Sequence, residues 1–575
     1  MKQLLKFLSP YRKESILGPL FKLLEATFEL LVPMVMKAII DIGINGGGGH
    51  SYIIKMCLVL IALGLIGMLC SFTAQFFAAK AATGFAADVR HALFKHLEKL
   101  SFTEIDRIGT STMITRMTSD VNQLQNGVNL TLRLLLRSPF VVIGAMVMAF
   151  MVDVRAALVF VVVIPVLAII VFGIMLITMP MYKRAQAALD KVLKSTRENL
   201  SGMRVIRAFC KEYSETDEFN ARNEALTDIQ KYVGKISALM NPVTYVVINA
   251  AVIVLIYVGA LRVETGLLLQ GGVVALYNYM SQILVELIKL ANMIISLTKA
   301  IASGNRVADV LNEKPTLING TKTSGASNDG TVEFKNVSLT YSGSKETSLE
   351  NITFKADSGE TIGIIGGTGS GKTSLVHMIA RFYDASAGKV LVDGIDVREY
   401  DVRALREKIG IVMQKAVLFK GTIRENIKWG KKDASDDEIT EALKVAQALE
   451  IVEGKEGGLD YQIEQGGKNL SGGQRQRMTI ARALVKKPEI LILDDSASAL
   501  DFATDAALRK AIREMENAPT TFIVSQRAAS VMFADKIIVL DDGCIAGIGT
   551  HDELIDSCDI YSEIYYSQFP KEVQV

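Results

Sequence analysis

The stretch Gly366-Gly367-Thr368-Gly369-Ser370-Gly371-Lys372-Thr373, with Ser374 next in line, decides how the second half of this chain folds. It follows a short apolar run, 361–365, and opens a helix-forming one, so it reads as strand, Gly-rich loop and helix in that order. The spacing GxxxxGK[ST] calls for glycines because backbone N–H groups must wrap a row of phosphates. Lys372 then brings a point charge to the outer phosphates, and Thr373 brings a hydroxyl to a Mg²⁺ ion.

Three further segments extend the pattern on the C-terminal side. Glu489-Ile-Leu-Ile-Leu-Asp494-Asp495 is a buried strand ending in carboxylates, and Asp494 suits the Mg²⁺ shell. Ser471-Gly472-Gly473-Gln474, just ahead of a helical stretch at 475–485, offers free N–H groups to an anion. Gln414 lies where the strand Ile411-Val-Met gives way to a loop. From the alternating run 331–341 onward, strands and helices interleave as an α/β domain to about residue 555.

The N-terminal half reads differently. The whole chain has 575 residues, half of them hydrophobic and 22% charged, with a mean hydropathy of +0.30. That is too apolar for a soluble enzyme and too charged for a chain lying wholly in a bilayer. Runs 56–77, 156–182 and 236–261 are free of charge and long enough to cross a ~30 Å hydrocarbon core. Residues 133–152 and 266–300 are two more candidates. Residues 16–40 are interrupted by Lys22, Glu25, Glu29 and Lys37, but are counted because without them the two long polar loops would fall on the non-cytosolic side. The expectation is therefore six spans in a transmembrane domain, 1–311, then a Gly/Ser/Asn/Thr-rich linker, 312–330, and a nucleotide-binding domain, 331–575. Loops 78–137 and 183–235 carry most of the Lys and Arg. The positive-inside bias puts them, both termini and the nucleotide-binding domain in the cytosol. Folded as helical hairpins, their arms are about 40 Å long.

The remaining composition excludes several classes. A net charge of +2 with no basic run argues against a nucleic-acid partner. Five scattered cysteines without a CxxC pair argue against a disulfide framework or a zinc site. The N-terminus lacks the pattern of a cleaved secretory leader and reads as a cytosolic lead-in.

Together these motifs resemble the nucleotide-binding domain of ATP-binding-cassette (ABC) transporters, and six spans followed by one cassette resemble an exporter-type half-transporter. The resemblance implies a multi-pass protein of the plasma membrane, an all-α membrane domain with long helical extensions, and an α/β P-loop ATPase coupled to transport. Its cofactors are ATP and Mg²⁺; its surroundings are a lipid bilayer and a hydrophobic or amphipathic solute. Position by position, Tyr341 matches the aromatic that stacks on adenine, and Gln414 the Q-loop glutamine that senses Mg²⁺. Glu464 matches the loop that meets the intracellular loops. Ser498, Ala499, Leu500 and Asp501 match the D-loop. Segments near 101–107 and 208–213 match the coupling helices.

Two positions depart from a hydrolysing cassette. The family places Glu, the general base, after the metal Asp; here it is Asp495, one methylene shorter. The family's switch histidine is replaced by Gln526, in Ile523-Val-Ser-Gln526-Arg527. Glutamine can bond a phosphate but cannot become an imidazolium. The resemblance thus points to the degenerate half of a heterodimeric multidrug exporter. In that arrangement Ser471, Gly472, Gly473 and Gln474 complete the ATP site of a partner that retains Glu and His and has an altered signature of its own. The alternatives are a lipid or peptide exporter, a homodimer that tolerates both substitutions, and a regulatory subunit that only binds ATP. Glu25, Glu29, Glu286 and Lys289 are intramembrane charges that either pair internally or face a solute.

Overall fold

The computed structural model describes residues 2–325 and 329–569. Residues 326–328 of the expected linker and 570–575 of the expected cassette lie outside the described residues. The chain divides into two compact units, Met1–Glu98 with Ser111–Glu313, and Lys99–Thr110 with Lys314–Val575.

The first unit is helical. In chain order the helices are α1 (Arg12–Ala38), α2 (Gly49–Leu97), α3 (Phe102–Ile108, which falls in the second unit), α4 (Thr110–Thr115), α5 (Val121–Leu134), α6 (Arg137–Val152), α7 (Val154–Ser201), α8 (Met203–Ala208), α9 (Glu212–Ala238), α10 (Met240–Glu264) and α11 (Gln270–Asn312). No proline or glycine cluster interrupts α2 between its apolar run and its polar continuation, so span and extension form one helix. Its 49 residues measure about 73 Å at 1.5 Å per residue.

Among the described residues, five stretches are long and apolar enough to cross a membrane: Gly49–Leu97, Thr110–Val152, Val154–Ser201, Glu212–Glu264 and Gln270–Asn312. The sequence reading counted a sixth, α1, whose charges keep it out of this set. The fold nevertheless pairs three of the four. Lys22 binds Glu25 at 2.5 Å, and Glu29 binds Arg137 at 2.6 Å. Arg137 also reaches Glu286 at 2.6 Å, and Ser138 and Lys289 bond the same carboxylate at 2.8 and 3.0 Å. One buried cluster therefore ties α1, α6 and α11. Elsewhere in the same helical core, small residues such as Ala145, Ala149, Ala156, Ala157 and Ala275 are buried and allow close helix approach.

Among the described residues the second unit is built on twelve strands: β1 (Val332–Leu339), β2 (Leu349–Ala356), β3 (Thr361–Gly366), β4 (Ala387–Val392), β5 (Ile395–Asp396), β6 (Ile409–Val412), β7 (Gly421–Thr422), β8 (Gln462–Ile463), β9 (Ile490–Asp494), β10 (Thr520–Val524), β11 (Lys536–Asp541) and β12 (Cys544–Gly549). They form an antiparallel sheet β2-β1-β4-β5, a six-stranded sheet β12-β11-β3-β10-β9-β6, and the small pair β7-β8. In the six-stranded sheet β6, β9, β10, β3 and β11 run parallel, and only β12 runs antiparallel. The strands β3, β9 and β10 are buried throughout, as expected where both faces are covered. Register sets Val524 against both Asp494 and Ile364, so the carboxyl ends of three neighbouring strands finish together. Ligands of open parallel sheets bind at such ends.

Candidate functional site: a nucleotide pocket at the carboxyl ends of the parallel strands

After β3 the chain turns through the glycine loop into α12 (Lys372–Ile379). Gly371 holds φ +90° there, and a Cβ on it would lie 2.6 Å from Leu349 Cδ2 and 2.8 Å from the Ser348 carbonyl. Only glycine fits both demands. Gly369, at φ +89°, has open space on the side where a Cβ would point, so the loop presents bare backbone. Lys372 is folded into the loop, donating to the carbonyls of Gly366 and Gly367 at 2.9 and 2.5 Å and to Ser370 Oγ at 3.3 Å. Burial holds its pKa below the usual ammonium range, and the nearby Asp495 and Asp494 oppose that shift.

A cavity of about 330 Å³ opens over this loop. Tyr341, Ser348, Thr368, Gly369, Gly371, Lys372, Thr373, Ser374, Gln414, Asp494, Asp495, Val524, Ser525 and Gln526 line it. Residues that lie more than 180 positions apart in the chain thus meet in one pocket because β3, β9 and β10 end side by side. Thr373 donates to Asp494 Oδ1 at 2.9 Å, and Gln414 Nε2 donates to Asp495 Oδ2 at 3.4 Å. Asp494 is 1% exposed, and burial pushes its carboxyl above the ordinary range, a further push coming from Asp495. A hydroxyl, a buried carboxylate and an amide oxygen form the hard-oxygen donor set that Mg²⁺ prefers. The residues therefore fit the ion: Thr373, Asp494 and Gln414 would hold it, and it would neutralise phosphate charge.

Tyr341 stands at the rim, half-buried. Its hydroxyl lies 2.7 Å from Ser374 Oγ, and its ring meets Tyr383 edge-on with centroids 5.0 Å apart. Asp495 adopts the left-handed conformation, at φ 46° and ψ 32°. Its N–H donates to the Val524 carbonyl at 3.0 Å, which sets its carboxylate beside the loop carrying Gln526.

The comparisons with known proteins agree with this geometry. Residues 15–287 match the family model described as the ABC transporter transmembrane region, and residues 349–498 match the one described as ABC transporter. An uncharacterized ABC transporter ATP-binding protein of Mycobacterium tuberculosis is 36% identical over 566 residues, covering 97% of this chain and 96% of that protein. The chain belongs to the ABC transporter family. It is also 33% identical over 583 residues to YgaD of Bacillus subtilis, provisionally named as a multidrug export ATP-binding/permease protein, with 99% of each covered. A solved bacterial Atm1-family ABC exporter with ATP bound shares the fold at a TM-score of 0.80 and 22% identity, covering 98% of this chain and 99% of that one. The chain is thus an exporter-type ABC half-transporter, with a helical membrane domain and a cassette that binds ATP with Mg²⁺. Exporters of this kind work as dimers in a membrane.

The remaining ABC motifs sit apart from the pocket. Ser471 caps the helix Gly472–Leu484: its Oγ accepts from the Gln474 N–H at 3.2 Å, and Gln474 Oε1 accepts from the Ser471 N–H at 3.1 Å. None of Ser471, Gly472, Gly473 and Gln474 lines the cavity. A Cβ on Gly473 would meet the Ala499 carbonyl at 2.9 Å, so the signature helix begins against the D-loop. Within that loop, Asp501 caps the helix Phe502–Arg513 by accepting from the Thr504 N–H at 2.8 Å, and Ser498 Oγ donates to the Asp495 carbonyl at 2.8 Å. Glu464 leads into a one-turn helix, its N–H donating to Asn469 Oδ1 at 3.0 Å.

The helix α3 carries the first expected coupling segment and packs on the cassette core. The Phe102 ring meets that of Phe382 at a tilt with centroids 4.6 Å apart, and Tyr383 donates to Asp106 at 2.6 Å. The second segment spans the end of α8 and the start of α9, where Phe209 and Tyr213 are exposed.

Three residues passed over in the sequence reading shape the site. Arg527 donates to the carbonyls of Ala497, Ser498 and Leu500, anchoring the D-loop. Gln568 brackets the switch loop from the last helix. His377 approaches Asp494 from α12. An Arg directly after Gln526 was a readable signal for the first; the other two depend on contacts between distant segments.

Proposed function

We propose that this chain is one half of a heterodimeric exporter, and that its own P-loop site holds ATP but hydrolyses it weakly. One observation carries the reading: Asp495 and Gln526, the two departures from a hydrolysing cassette, line the same cavity as Lys372, Thr373 and Asp494. The binding apparatus is intact while both groups that serve the attacking water are altered. A carboxylate drawn back by one methylene sits about 1 Å short, and misplacement on that scale costs about 10²-fold in rate. Glutamine at 526 offers a hydrogen bond but no proton.

The signature residues Ser471–Gln474 support the second half of the reading, since they carry a well-formed helix start and line no part of the chain's own pocket. In a head-to-tail pair they close over the partner's ATP, and that partner supplies Glu and His. Tyr341 stacks adenine; Gln414, Asp494 and Thr373 serve the metal; the D-loop joins the two sites. The domain limits proposed are 1–311, 312–330 and 331–575. The α1 helix is a sixth span, made more tolerable in lipid by the pairing of Lys22, Glu25 and Glu29. The cassette and both termini are cytosolic, and the membrane is the bacterial plasma membrane. The provisional naming of YgaD as a multidrug export protein supports hydrophobic or amphipathic solutes as the cargo.

The test is reconstitution of the full chain with and without a second half-transporter. ATP binding by the chain alone, with substrate-stimulated hydrolysis only in the pair, is the expected result. Full hydrolysis and transport by identical copies would overturn the asymmetric assignment while leaving the exporter intact.

A further inference from the structure

Thr373 and His377 stand four residues apart on α12, and such pairs share one helix face. Both face Asp494. Thr373 Oγ1 bonds Oδ1 at 2.9 Å; His377 Nε2 lies 3.7 Å from Oδ2. The imidazole is nearly enclosed, its side chain 13% exposed, and Nε2 is buried without a hydrogen-bond partner. Its ring is fixed by aromatic neighbours: Phe382 edge-on at 5.2 Å and Tyr383 nearly parallel at 6.5 Å. Tyr383 is itself held by its bond to Asp106. Burial keeps the imidazole neutral, pushing its pKa down to about 4. A neutral ring carries one N–H; among the described residues the carboxylate within 4 Å of Nε2 is that of Asp494, while Asp106 also acts on the ring electrostatically. An enclosed donor without a partner costs stability unless it serves such an acceptor.

We propose that His377 is a positioning residue for the metal carboxylate, its Nε2–H steadying Asp494 in one orientation beside Thr373. The proposal rests on the reading of Thr373 and Asp494 as Mg²⁺ ligands. It assigns His377, which lies outside the nucleotide cavity, to metal affinity and not to the attacking water. Groups that orient metal-binding side chains typically change metal affinity by about 10–100-fold when removed.

The experiment measures binding of a fluorescent ATP analogue to the full chain in detergent, titrating Mg²⁺ and repeating in EDTA. His377→Leu is expected to raise the Mg²⁺ concentration for half-maximal binding about 10-fold while leaving EDTA binding unchanged. His377→Gln, which keeps a donor, is expected to restore most of the wild-type Mg²⁺ response. Thermal unfolding of both variants, and of His377→Phe, shows whether the fold is kept. A folded His377→Leu or His377→Phe protein with wild-type Mg²⁺ dependence overturns the proposal. So does equal weakening with and without Mg²⁺, which marks a merely structural role. If Thr373→Val also leaves the Mg²⁺ dependence unchanged, the reading of the ligand pair falls, and the proposal with it.

Discussion

Gln568 grips the loop that carries Gln526 at two points: its Nε2 donates to the Gln526 carbonyl at 2.8 Å, and its Oε1 accepts from the Ala528 N–H at 2.9 Å. A single amide side chain on the last helix, Asp559–Gln568, thus sets the backbone beside the nucleotide pocket. Gln568→Ala should release that loop. Each net hydrogen bond is worth about 1 kcal/mol, so loss of both should quicken amide exchange at 526–528 by about fivefold to thirtyfold, read by exchange mass spectrometry. Unchanged protection there would show that the bracket does not hold the loop.

The buried Arg137 is shared by Glu29 and Glu286. Arg137→Met leaves Glu286 with Lys289 and Ser138 but removes its closest cation. Breaking one side of such a pair costs about 3–5 kcal/mol, seen as a lower unfolding temperature in detergent. Adding Glu286→Gln should recover part of the loss. Equal stability of wild type and Arg137→Met would remove the cluster as a brace.

Hydrolysis gives the sharpest test of asymmetry. Asp495→Glu alone should leave transport intact and raise ATPase activity only modestly, because Gln526 still lacks an imidazole. Asp495→Glu with Gln526→His should raise it about 10-fold or more. Asp495→Asn should not stop the paired exporter, whereas removing the partner's general base should. Equal blockage by both would end the argument for two unlike sites.

The pH response of the cassette follows from His377. Its folded pKa, about 4, lies below the ordinary 6.5. The unfolded chain therefore binds more protons between those values, and stability falls as pH drops through that window. The full effect is at most about 3 kcal/mol. Relative to His377→Gln, the wild-type unfolding temperature should fall from pH 6.5 to pH 4 and match it above pH 7. A constant difference across that range would contradict the assignment.

Much of this was legible before any coordinates. The glycine loop, the strand ending at Asp494 and the capped Ser471 are local patterns: phosphate binding, strand burial and helix capping each act over fewer than ten residues. Long apolar runs are equally local, and five of the six expected spans recur as helices of sufficient length and apolarity. The partners of single charges were not legible. Internal pairing was one of two open readings for Glu286 and Lys289, three residues apart; the two do pair, but Glu286 also meets Arg137, 149 positions distant.

By itself, then, the chain's order of residues determined which segments are long and apolar enough to span, which loop carries the phosphate-binding pattern, and that Asp495 and Gln526 stand where Glu and His are usual. Only the tertiary structure decided that those two side chains share one pocket, that Gln568 braces it, and that His377 faces Asp494. The reason is physical: local patterns depend on backbone geometry along the chain, while these contacts exist only because parallel strands far apart in sequence end at the same edge of one sheet.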